Sequence, residues 1–311
     1  MNRGMPLSAV IKNLKPSWKQ RKQWQAHRNT ITSLKFSRDG TKLLSTSADQ
    51  LVKVWNWDNT TAWQLEGHRS VVSQGLFGQQ QIISASWDYD INVWSEDRQE
   101  LTSELTGHSG WILAVALSAD GSRLVSGGSD RQLKLWDLAQ KRELVTLQGH
   151  GHPIQAIAFG HQENQLDLLI SGDQSGLIKI WHSETYALIA TLTELHHQAI
   201  TAIRCHPHNP WAITTSADAT VKLWQIPTGK LLKTLSGHIN GVLDGDLCDR
   251  GQLLATIGDD HKINLWYLPQ GEIMESIFLQ DFALTAIALH PQGTKFAIGG
   301  KNGQIQLWDY H

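Results

Sequence analysis

The sequence predicts an all-β fold built from seven copies of one four-stranded unit, and three observations carry this reading. Seven of the 14 tryptophans recur at a near-constant interval: Trp55, Trp94, Trp136, Trp181, Trp224, Trp266 and Trp308 stand 39, 42, 45, 43, 42 and 42 residues apart. A fixed period in this range marks a repeat architecture. Each repeat divides into four short runs of β-branched or alternating apolar residues, split by turn residues, and no long helical period interrupts them. Composition agrees: 311 residues with 26 glycines, 41% hydrophobic and 18% charged residues form neither a disordered nor a fibrous chain.

The third repeat shows the elements in order. WILAVALS is followed by the turn ADGS, RLVSGG by SDRQ, and LKLWDL by AQKRE before LVTLQGH. Asp39–Gly40 and Asp120–Gly121 suit tight hairpins, because glycine tolerates the positive φ such turns need. Upstream of the tryptophan segments stand Gly67–His68, Gly107–His108, Gly149–His150 and Gly237–His238, with His27 after Ala26 and His196 after Leu195 in the same slot. Trp-Asp itself occurs at Trp136–Asp137 and Trp308–Asp309. A lone sheet of this kind has two faces to cover, so neighbouring units must stack and the terminal ones must close.

On these motifs the chain resembles the WD40-repeat family over roughly residues 18–311. The resemblance implies a seven-bladed β-propeller, four antiparallel strands per blade, around a central channel. The last repeat stops at its third strand, QIQLWDYH, while WKQRKQWQ at residues 18–25 fills the slot of an outer strand. The N-terminal strand is therefore expected to complete blade seven and hide its edge. Residues 1–17 fall outside the scheme and read as a flexible tail, with a partner-docking tail as the alternative.

Several function classes are disfavoured. Net charge is −2, from 27 basic and 29 acidic residues, which argues against a broad phosphate-binding surface. Cys205 and Cys248 are too few for a disulfide framework. No run approaches the ~18–20 apolar residues of a membrane helix, and the N-terminus lacks a secretory h-region, so a cytoplasmic setting is expected. Gly127–Gly128 and Gly299–Gly300 lie at strand-to-turn positions and are not phosphate loops. Cys205–His206–Pro207–His208 has no second ligand pair at zinc-site spacing and reads as a core thiol beside two surface histidines. No cofactor, metal or small-molecule substrate is expected.

Ser, His and Asp recur together, which raises the question of a hydrolase. Ten residues before each tryptophan stands Ser45, Ser84, Ser126, Ser171, Thr214 or Thr256; six before it stands Asp49, Asp88, Asp130, Asp218 or Asp260. With His27, His68, His108, His150, His196 and His238, these match the structural tetrad that the family resemblance implies. Asp orients the imidazole, the imidazole meets the hydroxyl, and the hydroxyl meets the indole N–H. A catalytic triad needs one exposed nucleophile beside an oxyanion hole, and near-complete copies round a ring do not supply that. Blade four is expected to lack its aspartate, with Ser175 in that place. Blade seven has Gln280 for His, Ile298 for Ser/Thr and Asn302 for Asp, and is expected to be the weakest.

The family resemblance places partner binding on the top face, where outer-to-inner loops meet the turns between second and third strands. Exposed aromatics and arginines are the anchors expected there. Trp87 precedes Asp88 where other blades have Ala48, Ser129 or Ala217, and Trp111 follows His108 by three positions. Tyr89 and Arg131 are expected beside them, with Asp259 and Lys301 as polar contacts opposite. Trp111 has a second reading, as a plug over the channel mouth. Trp57, Trp63 and Trp211 read as edge coverage. The chain is thus expected to be a non-enzymatic scaffold binding proteins or peptides. A nucleic-acid or histone-tail reader, or a regulatory subunit of a signalling assembly, is the alternative.

Overall fold

Alternating apolar residues drive each repeat into one antiparallel four-stranded sheet in the computed structural model, which describes residues 17–161 and 167–311. Seven such sheets form the blades. In blade one the strands run outward from the channel as Ile31–Phe36, Lys42–Ser47, Val52–Asn56 and Thr61–Leu65. Burial follows that order: the second strand is buried except at Lys42, while the outer strand is fully buried only at Leu65.

Six sheets follow chain order, and the seventh joins both ends of the fold. Trp18–Gln25 pairs with Gln304–Tyr310, which continues to Lys295–Gly300 and the inner strand Leu284–Leu289. The register runs from Trp18 opposite Tyr310 to Gln25 opposite Gln304. The N-terminal strand closes the ring. Trp18 is 5% exposed, its ring centroid 5.0 Å from that of Phe296 and 5.2 Å from that of Tyr310. Trp24 meets Trp55 edge-on at 5.7 Å, tying blade seven to blade one. Of the N-terminal tail inferred from sequence, residues 1–16 lie outside the described residues.

Every inner strand carries a register shift after its first residue, as between Ile31 and Ser33 or Val242 and Asp244. Such bulges bend a strand locally. The first residue then packs into the neighbouring blade. Ile31 lies over Gly299 of blade seven, where a Cβ would come within 2.6 Å of Ile31 Cγ2, so only a bare α-carbon fits. Between the inner strands is a cavity of about 1080 Å³.

Charges from blades one, five and six meet in that cavity at Asp246. Asp246, on the blade-six inner strand Val242–Leu247, accepts from Lys35 Nζ of blade one and Arg204 Nε of blade five, both at 3.0 Å. Its other oxygen accepts the Leu289 N–H of blade seven at 3.0 Å, and Asp244 accepts that of Ile287 at 3.1 Å. Burial raises the Asp246 carboxyl, but the charges of Lys35 and Arg204 outweigh it and the net shift is downward. The cluster clasps blade seven between its neighbours from the channel side. No helix among the described residues is long and apolar enough to cross a membrane.

Candidate functional site

The histidine slot and the following second-to-third turn meet at one end of each blade. In blade one His27 Nδ1 donates to Asp49 at 3.0 Å, the Ser45 hydroxyl lies 2.7 Å from His27 Nε2, and Trp55 Nε1 donates to Ser45 Oγ at 2.8 Å. The same relay links His68, Asp88, Ser84 and Trp94; His108, Asp130, Ser126 and Trp136; and His238, Asp260, Thr256 and Trp266. Burial raises the Asp49 and Asp88 carboxyls. The opposing hydrogen bonds from their histidines and from backbone N–H groups prevail and hold both at about 2. Burial lowers His27 and His238. The aspartate is therefore charged and these two rings are neutral at physiological pH. Ser45, Ser84 and Ser126 are wholly buried and already accept an indole N–H, so no substrate reaches them.

Three blades depart from the sequence expectation. Blade four does not lack its carboxylate: His150 Nδ1 meets Asp173 at 2.8 Å, with Ser171 and Trp181 completing the relay. Serine and aspartate have exchanged places. In blade one the Asp49 N–H donates to Ser47 Oγ at 3.0 Å, whereas in blade four the Ser175 N–H donates to Asp173 Oδ1 at 2.9 Å. In blade five His196 meets Asp218 and Thr214, but the fully buried Trp224 packs among apolar neighbours such as Ile180 and Ile226, and its N–H has no acceptor among the described residues. An orphaned buried donor of this kind costs about 1–3 kcal/mol. In blade seven Phe282, not Gln280, takes the imidazole's place. A Cβ on Gly258 would meet His238 and Asp260, and one on the equivalent Gly300 would meet Phe282 and Asn302.

The exchange in blade four has a measurable consequence. Asp173→Ala is expected to lower stability by about 1–3 kcal/mol by stranding His150, while Ser175→Asp gains nothing, because it sets a second carboxylate beside Asp173. Thermal melts check both; a stabilised Ser175→Asp variant would return the aspartate slot to position 175.

On the top rim the indoles of Trp87 and Trp111 stack at 4.6 Å with 14° between their planes. Backbone bonds fix both: Trp87 N–H donates to the Val71 carbonyl at 2.9 Å, and Ser129 N–H donates to the Trp111 carbonyl at 2.8 Å. Trp87 is half-buried under its partner, and Trp111 is 47% exposed. Tyr89 and Arg131 occupy the tips of the adjoining turns, both exposed, at φ of +78° and +65°. Asp259 and Lys301 hold the turn position of Trp87 in blades six and seven, their N–H groups donating to the Gly241 and Ala283 carbonyls at 2.9 Å, and line a cavity of about 90 Å³ with Leu243 and His261. Sequence reasoning missed Arg69, whose Nη2 is 2.5 Å from Asp90 Oδ2 on the same turn as Trp87. Its signal was an arginine directly after the relay histidine, a pattern shared by Arg28 after His27.

The other sequence candidates are structural neighbours. Trp57 is 9% exposed and donates to the Gly40 carbonyl at 2.8 Å. His206 Nδ1 accepts the N–H groups of His208 and Asn209, both at 3.0 Å, and burial pushes the Cys205 thiol up to about 12.

A family model described as "WD domain, G-beta repeat" matches residues 18–56, 99–137, 141–182, 187–225, 229–267 and 278–309. The chain belongs to the WD40-repeat family. The matches leave out residues 57–98, yet blade two of this WD40 chain holds a complete relay there. Over 228 residues it is 27% identical to apoptotic protease-activating factor 1 of Rattus norvegicus, covering 69% of this chain and 17% of that protein. Over 240 residues it is 29% identical to nuclear distribution protein nudF of Aspergillus niger, covering 69% and 54%. A striatin homolog of Dictyostelium discoideum is 22% identical over 340 residues, covering 93% and 41%. The WD40 chain thus spans between a sixth and about half of these relatives' lengths.

Proposed function

We propose that this chain is a non-enzymatic interaction scaffold in the cytoplasm that holds protein partners on its top face, with Trp87 and Trp111 as anchors. The observation that carries the reading is the stacked indole pair, with Trp111 47% exposed on a rim where the fold needs only a small residue. Tryptophan is among the residues most enriched at binding hot spots. Membership of the WD40 family and the burial of every relay hydroxyl among the described residues support a binding role over catalysis.

Replacing either anchor by alanine is expected to weaken partner capture by at least about thirtyfold, the equivalent of ~2 kcal/mol. The melting temperature should move by only a few degrees, since neither side chain belongs to a relay. Pull-down and circular dichroism melts on the same variants check this. A large fall in melting temperature with capture intact would show that the indoles plug the channel mouth and bind nothing.

A further inference from the structure

We infer that the outer edge of blade one is a self-association surface: its strand Thr61–Leu65 pairs antiparallel with the same strand of a second copy of this chain. The surface lies on the outer rim of the ring, apart from the top face, so its failure leaves the top-face role untouched.

An outermost strand leaves alternate N–H and C=O groups without partners, a template for any further strand unless charge or a bulge spoils it. Six of the seven outer strands carry such protection. Trp18–Gln25, Glu100–Leu105, Arg142–Leu147, Leu231–Leu235 and Glu272–Phe278 each hold at least one charged side chain, from Lys233 alone in blade five to Lys19, Arg21 and Lys22 in blade seven. All of these are also bulged, and so is the uncharged Leu188–Leu192 of blade four, where Ile189 has no residue opposite. Thr61–Leu65 has neither device. It reads TAWQL, without charge or proline, and its register runs unbroken from Thr61 opposite Asn56 to Leu65 opposite Val52. Thr61, Ala62 and Gln64 are exposed, and Trp63 is half-buried against the core between blades one and two.

The same features select a second copy as the occupant. A two-fold axis through the middle of the strand sets Trp63 opposite Trp63, Ala62 opposite Gln64 and Thr61 opposite Leu65. Directly opposed residues share a face of the sheet, so the two indoles form a cross-strand aromatic pair, one of the favourable kinds. No ionised group meets its own copy in this register, whereas the same axis through the blade-five strand sets Lys233 on Lys233. The nearest carboxylates stand outside the strand: Asp58 is held by Arg21 at 3.3 Å, and Glu66 falls past the last pair. Such short strands bury less than the ~1,200 Å² of a stable interface, so the dimer forms by mass action at high concentration.

Analytical ultracentrifugation of the full chain, from about 1 to about 300 μM, tests this with two double variants. Ala62→Lys/Gln64→Lys sets lysine against lysine across the axis, and Ala62→Glu/Gln64→Glu sets glutamate against glutamate. Both positions are exposed, and circular dichroism melts establish that each variant stays folded. Wild type is expected to pass from monomer to dimer over this range, and each variant to associate at least about tenfold more weakly. An equal mixture of the two variants should recover the dimer, because lysine then faces glutamate. A wild type that is monomeric throughout overturns the inference and leaves the edge to a strand of another protein. Dimers that both variants keep place association on a different surface and overturn it too. Loss without recovery in the mixture overturns the antiparallel two-fold pairing.

Discussion

A chain that begins at Ala26, lacking the strand Trp18–Gln25, is expected to lose its cooperative melt and to aggregate. That strand covers the whole length of Gln304–Tyr310, and without it blade seven presents a bare edge of N–H and C=O groups. Apolar surface is uncovered as well, because Trp18 is buried against Phe296 and Tyr310, and Trp24 packs on Trp55. The milder Trp18→Ala change should cost about 3–5 kcal/mol, the usual range for a buried tryptophan. Melting followed by circular dichroism, with size-exclusion chromatography for the truncated form, gives the answer. A truncated chain that melts like the full one would remove the closing role from this strand.

Asp246→Ala should be the most damaging single substitution in the channel. It removes the shared acceptor of Lys35, Arg204 and the Leu289 N–H in one step. Breaking a buried ion pair typically costs about 3–5 kcal/mol because the remaining charge stays uncompensated. Arg204 and Lys35 retain 26% and 38% exposure to the channel, which places the expected loss near the lower end, at about 3 kcal/mol. Asp246→Asn should fall between, since its amide oxygen still accepts a hydrogen bond without balancing either cation. Denaturant unfolding of the two variants orders them; equal stability of Asp246→Ala and wild type would show that channel water replaces the carboxylate at no cost.

The repeat was legible because it is periodic: Ser45, Asp49 and Trp55 recur at fixed offsets in blade after blade, and the vacant outer slot of blade seven pointed to Trp18–Gln25. What the repeat spacing could not convey were exchanges that conserve a role while shifting its position. Asp173 and Ser175 swap roles, and the ring of Phe282 reaches a place that the spacing gives to Gln280. Contacts between repeats were also hidden. Lys35 and Asp246 are 211 residues apart, and only the curvature of the ring brings them together. A trace remained in the sequence, since LDGDL and ITAIRC carry charges in strands that are otherwise apolar or small. Trp87 and Trp111 were each placed on a top-face segment from their offsets, but their stacking depends on the spacing of two adjacent blades, which no single repeat encodes.

Ring closure also imposes a timetable on synthesis. Arg21 and Asp309, which form a salt bridge across the closing pair of strands, are 288 residues apart. At about 5–20 residues per second, the first strand waits roughly 15–60 s on the ribosome before its partner is made. Blades one to six each receive all four strands within one stretch of translation and can form in turn, whereas blade seven cannot. Lys19, Arg21 and Lys22 keep the waiting strand charged, which discourages it from joining the exposed edge of another nascent chain.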